Sequence, residues 1–292
     1  MYSSLDPGGP VAPDGAMLRV TLAPFLVLLT LLPAQAQERR VVVPNFWDPK
    51  IRVERPEPGP ARVVRFLTDD EYPPLHFAGP DGGLTGFSVE LARAACEKLS
   101  WTCTVQARRF DTLADSLSEG RGDVIAAAIT VTPALRQRFL ASHPYFRTPA
   151  RFLTVKGNES GAVDAAALQG RRVAVVDGTA HAAFLDRLMP FVQRREAPNL
   201  AAALAMLRSG EVDYLFGNGI ALSLVLAAET GREFAFAGGP YLESGYFGEG
   251  IALLMRKDEA ALKRSLDYAL QSLWDDGTYA RLYLRFFPVG PF

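Results

Sequence analysis

The sequence lacks the side-chain patterns on which most enzymes and metalloproteins depend. It contains no nucleophile triad, no cluster of metal ligands and no glycine-rich loop of the kind that cradles phosphates. Its only two cysteines, Cys96 and Cys103, do not have the paired spacing of a zinc knuckle. We therefore expect no catalytic residue, no metal and no cofactor.

The chain also has no large excess of positive or negative charge. The formal net charge is −1, which argues against a broad basic surface for nucleic acid or anionic lipid. Hydrophobic residues make up 49% of the chain and charged residues 22%, as in soluble globular proteins.

No apolar run is long enough to indicate a membrane anchor. The run at 18–32 is shorter than the ~20 residues of a spanning helix. It ends in Ala34-Gln35-Ala36, a pattern that signal peptidase accepts. The sequence therefore predicts a signal peptide over 1–36, cleavage after Ala36 and a periplasmic location. Because residues 1–16 carry no Lys or Arg, Met17 is an alternative start.

Export from the cytoplasm would determine the oxidation state of the two cysteines. An oxidising compartment favours a disulfide between Cys96 and Cys103 over the alternative of two free buried thiols. The enclosed loop is short, so the entropic stabilisation is modest, roughly 2–3 kcal/mol at most.

The remaining chain alternates between two periodicities. Residues 37–61, rich in proline, are predicted to be an extended leader, which can pack on the body through Phe46 and Trp47. Strands are predicted at 63–68, 102–107, 124–129, 172–176, 212–216, 234–237 and 251–255, with amphipathic helices between them. This alternation is typical of parallel α/β sheets. Because the cycle restarts near Arg172, we expect two lobes.

Several short motifs follow one another in a characteristic order. They are Asp69-Asp70-Glu71-Tyr72-Pro73-Pro74, Leu84-Thr85-Gly86-Phe87, Phe110-Asp111-Thr112-Leu113, Gly122-Asp123-Val124-Ile125, Thr130-Val131-Thr132-Pro133, Ser142-His143-Pro144-Tyr145-Phe146, Val176-Asp177-Gly178-Thr179, Gly210-Glu211-Val212-Asp213-Tyr214, Tyr246-Phe247-Gly248 and Asp276-Gly277-Thr278-Tyr279. In this order, over about 62–288, the chain resembles the polar amino-acid type of periplasmic solute-binding protein of ABC importers.

The resemblance implies an α/β fold of the type II periplasmic-binding-protein kind, with a central cleft and two hinge crossings. Lobe 1 would comprise 62–148 plus 244–292, and lobe 2 would comprise 149–243. The crossings would lie near 148–151 and 238–243. Such a receptor captures a small polar, amino-acid-like ligand and delivers it to a membrane permease; we expect a monomer.

The resemblance also assigns ligand-binding residues in lobe 1. Tyr72 and Phe110 match the aromatic walls of the slot, where ring faces can hold a cation or an apolar chain. Asp69 matches an acidic residue of members that bind basic ligands. The alternatives are core packing for the rings and a solvated loop position for Asp69.

Three further positions match places that receive a ligand carboxylate. Ala128 and Thr130 belong to a strand end, where Thr130 keeps the hydroxyl that Ala127 and Ala128 lack. Thr179 matches a turn before a helix, where free backbone N–H groups suit an anion. The alternative for Thr179 is a simple helix cap.

Two departures put the standard α-amino-acid site in question. The family's arginine for the ligand carboxylate falls at Leu135, with Arg136 one residue later. One residue turns a helical side chain by about 100°, so either the helix start shifts to bring Arg136 into the cleft or the clamp is missing. The family's acidic residue for the ligand ammonium falls at Asn218, and a neutral amide holds an ammonium less well.

Other residues remain open assignments. Arg109, Arg147 and Arg151 could supply a substitute cation, although helix-face and hinge-surface roles suit them better. His181 follows the Thr179 turn, where a helix dipole disfavours its protonation. It is either a hydrogen-bond partner of the ligand or a surface residue.

Two other functions compete with transport. One is a periplasmic ligand-sensing or accessory role without transport, which the altered site and the leader leave open. The other is a dehydratase-like enzyme on the same scaffold, which needs a general acid in the cleft. No new Glu or Asp near Gly178 and Thr179 suits that role.

Overall fold

The structure is a computed structural model that describes residues 42–46, 53–57, 63–159 and 163–292. The predicted signal peptide over 1–36 and the alternative start at Met17 lie outside these residues.

Two five-stranded sheets frame this described part of the chain. The first contains β1 (Val63–Thr68), β5 (Thr102–Ala107), β6 (Val124–Ile125), β7 (Leu140–Ala141) and β13 (Leu254–Met255), in the order β5-β1-β6-β13-β7. β1 pairs in parallel with β5 and β6, whereas β13 runs antiparallel to β6 and β7. A separate three-stranded sheet contains β2 (Glu71–Tyr72), β3 (His76–Ala78) and β4 (Leu84–Thr85).

The second large sheet repeats this arrangement with later strands. It contains β8 (Ala150–Val155), β9 (Arg172–Val176), β10 (Gln193–Ala197), β11 (Tyr214–Asn218) and β12 (Phe234–Tyr241), in the order β10-β9-β11-β8-β12. β9 is parallel to β10 and β11, and β8 is antiparallel to β11 and β12. Each sheet thus has an antiparallel strand in the fourth position.

Helices cover both faces of the sheets. Within the described residues they are α1 (Phe87–Lys98), α2 (Leu113–Ser118), α3 (Pro133–Arg138), α4 (Ala165–Leu168), α5 (Ala180–Leu188), α6 (Leu200–Arg208), α7 (Gly219–Ala227), α8 (Ser244–Phe247), α9 (Ala260–Asp275) and α10 (Thr278–Phe286). The predicted start of α3 is confirmed: Pro133 opens it and the Thr132 hydroxyl accepts from the backbone N–H of Leu135 at 3.3 Å.

Alternate residues of the central strands pack on opposite sides of each sheet. On β1, Phe66 belongs to an apolar cluster under α1, α9 and α10, while Leu67 belongs to a second cluster with α2. On β9, Val173 and Ala174 divide in the same way between two further clusters. Both sheets are therefore buried on two faces, as is typical of mixed sheets whose first three strands are parallel.

The predicted disulfide is confirmed. Cys96, near the end of α1, is bonded to Cys103 on β5, with Cα atoms 6.2 Å apart. It ties a helix to the edge strand of the first sheet.

Two crossings connect the halves of the molecule. Phe146 bridges to Ile251 on the first side, and Ala150 pairs with Tyr241 on the second. The short helix α8 packs on the second side, because the ring of Phe247 lies 5.2 Å from that of Phe184. This packing favours a return to the first side at 248–250, later than the predicted boundary at 244.

A buried guanidinium stabilises the crossings. Arg151 donates to the carbonyl of Gly238 at 2.9 Å and to that of Pro291 at 3.3 Å, and it stacks over Phe236 at 4.2 Å. Burial lowers the pKa of Arg151 to about 10. This geometry places Arg151 at the hinge, but buried, whereas the sequence favoured a position on the hinge surface.

Part of the leader packs on the first side. The ring of Phe46 lies 5.4 Å from Phe292 and 6.0 Å from Phe146. Trp47, the other aromatic residue offered for this contact, lies outside the described residues.

Candidate functional site

The carboxyl ends of the parallel strands mark where a ligand would bind in such a fold. In the first sheet, β1 is followed by Asp69, β5 by Phe110 and β6 by Ala128. In the second sheet, β9 is followed by Thr179 and β11 ends at Asn218. The topology thus brings these five predicted residues to the strand ends that border the cleft.

Asp69, His76 and Ala128 form a buried chain of polar contacts in the first lobe. His76 Nδ1 lies 3.1 Å from Asp69 Oδ1, and His76 Nε2 accepts from the backbone N–H of Ala128 at 2.8 Å. Because Nε2 is an acceptor, the ring proton of neutral His76 resides on Nδ1, which lies close to the carboxylate without forming a well-aligned hydrogen bond to it. Burial lowers the pKa of His76, and nearby Asp69 opposes that shift.

This chain of contacts limits what the strand end offers to a ligand. The N–H of Ala128, predicted to receive a ligand carboxylate, is engaged by His76. The sequence analysis did not single out His76, and no local pattern marks it, because Ala128 is 52 positions away in the chain.

Tyr72 links the first lobe to the second. Its ring stacks on His76 with centroids 5.7 Å apart, and 38% of the residue is exposed. Burial raises the pKa of Tyr72, while the polar side chain of Asn218 opposes the rise. Tyr72 and Asn218 therefore lie near each other, although they form no well-aligned hydrogen bond.

Phe110 stands beside an acidic groove. It is 56% exposed, so it is not a core residue in this structure. The groove has a volume of about 680 Å³. It is lined by Asp69, Asp70, Glu71, Ala107, Arg108, Arg109, Phe110 and Asp111.

The charges in this groove are unequal. Four carboxylates line it against two guanidinium groups, and Arg109 pairs with Asp111 at 2.6 Å. Arg108 donates to Gln106 Oε1 and to the carbonyl of Ala107. The groove is therefore net negative beside an exposed ring.

Asn218 caps a helix with its side-chain oxygen. Oδ1 accepts from the backbone N–H groups of Ile220 at 2.9 Å and Ala221 at 3.2 Å, at the start of α7. Of the two polar atoms of the Asn218 amide, only the oxygen can accept hydrogen bonds. The two cap bonds therefore fix the orientation of the amide.

Thr179 caps α5 in a similar way. Its hydroxyl donates to the carbonyl of Val176 at 2.7 Å and accepts from the N–H of Ala182 at 3.3 Å. The capping role offered as an alternative is thus present.

His181 lies inside an aromatic cluster of the second lobe. Its ring stacks on Phe247 at 5.2 Å and meets the edge of Phe216 at 5.9 Å. Burial lowers the pKa of His181 to about 4, so the ring is neutral at pH 7.

Arg136 is held by a carboxylate of the same lobe. Its Nε lies 2.9 Å from Oε2 of Glu249, and both side chains are about half exposed. Leu135 packs against the apolar cluster around Leu113. Thr130 forms an isolated antiparallel β-bridge with Ile251.

Two kinds of feature are absent from the described residues. No group of three or more His, Cys, Asp or Glu side chains is arranged to hold a metal ion. No helix in the described ranges has both the length and the hydropathy to cross a membrane.

Two sheets of matching strand order, joined by two crossings and bordered by facing strand ends, define a two-lobed periplasmic-binding-protein fold. The sequence profile of bacterial extracellular solute-binding proteins, family 3, matches residues 64–289, and the chain belongs to this family.

Known proteins support this placement. ABC transporter arginine-binding protein 1 of Escherichia coli (strain K12) is 27% identical over 78% of this chain and 92% of its own. A periplasmic binding protein of high arginine specificity from Salmonella typhimurium is 26% identical over 78% of this chain and 100% of its own, with a TM-score of 0.52. The unliganded, open L-cystine receptor of Neisseria gonorrhoeae is 23% identical over 77% of this chain and 92% of its own, with a TM-score of 0.69.

Proposed function

We propose that this chain is the receptor of an ABC-type importer and that it captures a small ligand bearing a cationic group. Membership of the solute-binding family and the arginine-binding relatives support the receptor role. The observation that carries the choice of ligand is the acidic groove beside Phe110 and Tyr72.

The electrostatics of the groove favour a cation. Arg109 and Asp111 neutralise each other, and in the exposed part of the groove the two carboxylates of Asp70 and Glu71 outnumber the one guanidinium of Arg108. A cation held between carboxylates and an aromatic face gains both ion pairing and a cation–π contact. An anionic group in the same place would be repelled.

Closure of the cleft would connect binding to transport. Tyr72 and Asn218 already lie near each other, so a ligand between the strand ends would touch both lobes. A ligand with more contacts in the closed form shifts the population toward that form. The permease would then recognise the closed receptor.

The remaining assignments complete the proposal. Lobe 1 comprises 62–148 and the segment after the return near 248–250, and lobe 2 comprises 149–247, because α8 packs on the second lobe. The signal peptide over 1–36 directs the chain to the periplasm, where it acts as a monomer. The eight predicted ligand residues are retained as proposals, with Ala128 acting through its contact with His76, on which the Tyr72 ring stacks, and not through a free N–H.

Calorimetric titration tests the choice of ligand. Arginine, lysine and 6-aminohexanoate, each with a cationic group at the end of its chain, would be compared on residues 37–292 with citrulline and glutamate, whose side chains are neutral and anionic. At least one cationic compound is expected to bind, and Asp70→Asn/Glu71→Gln should weaken it about tenfold or more. Glu97→Gln, an exposed carboxylate on α1, is the matched control and should change little.

The opposite ranking would overturn the proposal. If citrulline or glutamate binds more tightly than every cationic compound, the groove does not select the ligand. If no compound binds to a well-folded chain, the sensing or accessory role gains support.

A further inference from the structure

The orientation of Asn218 determines which chemical group the second lobe offers to a ligand. Its Oδ1 is occupied by the N–H groups of Ile220 and Ala221. The amide nitrogen is therefore the part left for contacts in the cleft, and it carries two donors and no acceptor.

The neighbour across the cleft supports this orientation. The side chain of Asn218 lowers the pKa of the Tyr72 hydroxyl against the effect of burial. A hydrogen bond that donates to the phenolic oxygen favours the ionised form and has this sign. This sign agrees with the orientation that the cap gives to the amide.

A hydrogen-bond donor at position 218 suits a different ligand group from the one that an acidic side chain there would suit. A protonated amine has only donors, so it would lose its water shell beside the Asn218 amide without gaining a hydrogen bond. A carboxylate or carboxamide oxygen would accept the N–H bond directly, and a carboxylate would form the stronger, charge-assisted bond.

The other ionisable side chains described for the strand ends do not reverse the preference. Glu249 is paired with Arg136, and Asp69 lies 3.1 Å from His76 Nδ1. On the second lobe, His181 is a neutral ring among aromatic side chains.

We propose that the ligand presents a carboxylate, and no ammonium, to Asn218 while its cationic end lies in the acidic groove. The preferred class is therefore an ω-amino or ω-guanidino carboxylic acid that lacks an α-amino group. This inference rests on the proposed capture of a cation, and it adds the identity of the other end of the ligand.

Replacing the Asn218 amide by a carboxylate tests the inference while keeping the cap at the start of α7. Asp caps helices as well as Asn does, so Asn218→Asp keeps the start of α7 while replacing the donor by an anionic acceptor. Asn199→Asp is the matched control, because Asn199 caps α6 of the same lobe and accepts from Ala202 at 2.9 Å.

The measurement is calorimetric titration with two matched pairs. 6-Aminohexanoate differs from lysine, and 5-guanidinopentanoate from arginine, by the α-amino group alone. The wild-type chain is expected to bind at least one of the α-amino-free compounds tenfold or more tightly than its partner. Asn218→Asp should reverse that ratio, and Asn199→Asp should leave it unchanged.

Three results would overturn the inference. The first is lysine or arginine binding as tightly as its α-amino-free partner. The second is an unchanged ratio in Asn218→Asp with an unchanged melting temperature. The third is binding of cadaverine or agmatine alone, which lack a carboxylate; this result would retain the capture of a cation but reject the head group. Failure of every cationic compound would instead reject the proposed function itself.

Discussion

In the first lobe, Arg65 on β1 donates its backbone N–H to Asp123 at 2.9 Å and pairs with that carboxylate through its guanidinium, also at 2.9 Å. In the second lobe, Arg172 on β9 contacts Asp213 in the same way, at 2.9 and 2.8 Å. Both aspartates lie just before the third strand of their sheet, three positions after a glycine at positive φ, Gly120 or Gly210. The lobes therefore share a frame that no obvious sequence repeat reveals.

The faces that the lobes present to the cleft differ. The first lobe buries His76 beside a carboxylate and lines a groove with acidic residues. The second lobe places the half-buried His181 among aromatic rings and offers an amide donor. A shared frame with unlike faces suits a ligand whose two ends differ in charge.

The largest expected effect on stability comes from removing the disulfide of the first lobe. Replacing Cys96 and Cys103 by serine removes the disulfide between α1 and β5. The free energy of unfolding should fall by about 2–3 kcal/mol, because the unfolded chain gains loop entropy. Urea denaturation would measure the loss, and an unchanged midpoint would mean that the link does not constrain the unfolded chain.

The two histidines should respond differently to acid. The folded pKa of His181, about 4, is below its ordinary value of 6.5, so the unfolded chain takes up the proton first. Stability should therefore fall as the pH drops from 6.5 toward 4, by about 2 kcal/mol at pH 5.

Variants separate the two contributions. His181→Gln should flatten the decline in stability between pH 7 and pH 5, measured by urea unfolding. His76→Gln should flatten it less, because Asp69 partly offsets the lowering of the His76 pKa. Equal flattening by both variants would contradict the contrast drawn between the lobes.

Of the two matching Arg–Asp contacts, the one in the first lobe should contribute more to the free energy of unfolding. The side chain of Asp123 is 10% exposed and that of Asp213 is 29% exposed. Asp123 also lies 3.7 Å from Arg256. Asp123→Asn should cost about 1–2 kcal/mol in urea unfolding, and Asp213→Asn should cost less; the reverse order would show that burial does not set the cost.

The smallest expected effect concerns the aromatic wall. Phe110→Ala should weaken binding of a cationic ligand by about 1 kcal/mol, since the half-exposed ring loses part of its burial and its cation contact. The melting temperature of the free chain should not change. Unchanged affinity, measured by calorimetry, would remove Phe110 from the site.

Much of the frame could be predicted from periodicity. The strands at 63–68, 102–107 and 172–176 are found with the predicted bounds. The predicted strand at 124–129 ends at Ile125, where Ala126 begins an irregular segment that leads to the contact of Ala128 with His76. Local apolar pattern alone could not locate that end.

Other elements had no clear pattern. The sequence of β10, Gln193–Ala197, is mostly charged, and it is a strand because it pairs with β9 at the sheet edge. The acidic and aromatic site positions were predicted through the resemblance. The engagement of Ala128 by His76 and the orientation of the Asn218 amide depend on three-dimensional contacts that sequence does not specify.

Small-angle scattering of the chain with and without 6-aminohexanoate tests most directly whether one ligand joins the two unlike faces. The account predicts a smaller radius of gyration at saturating ligand for the wild-type chain and a reduced change for Asp70→Asn/Glu71→Gln at the same ligand concentration. Binding by calorimetry with no change in the radius of gyration would contradict it, because the ligand would then contact one lobe without drawing the other toward it.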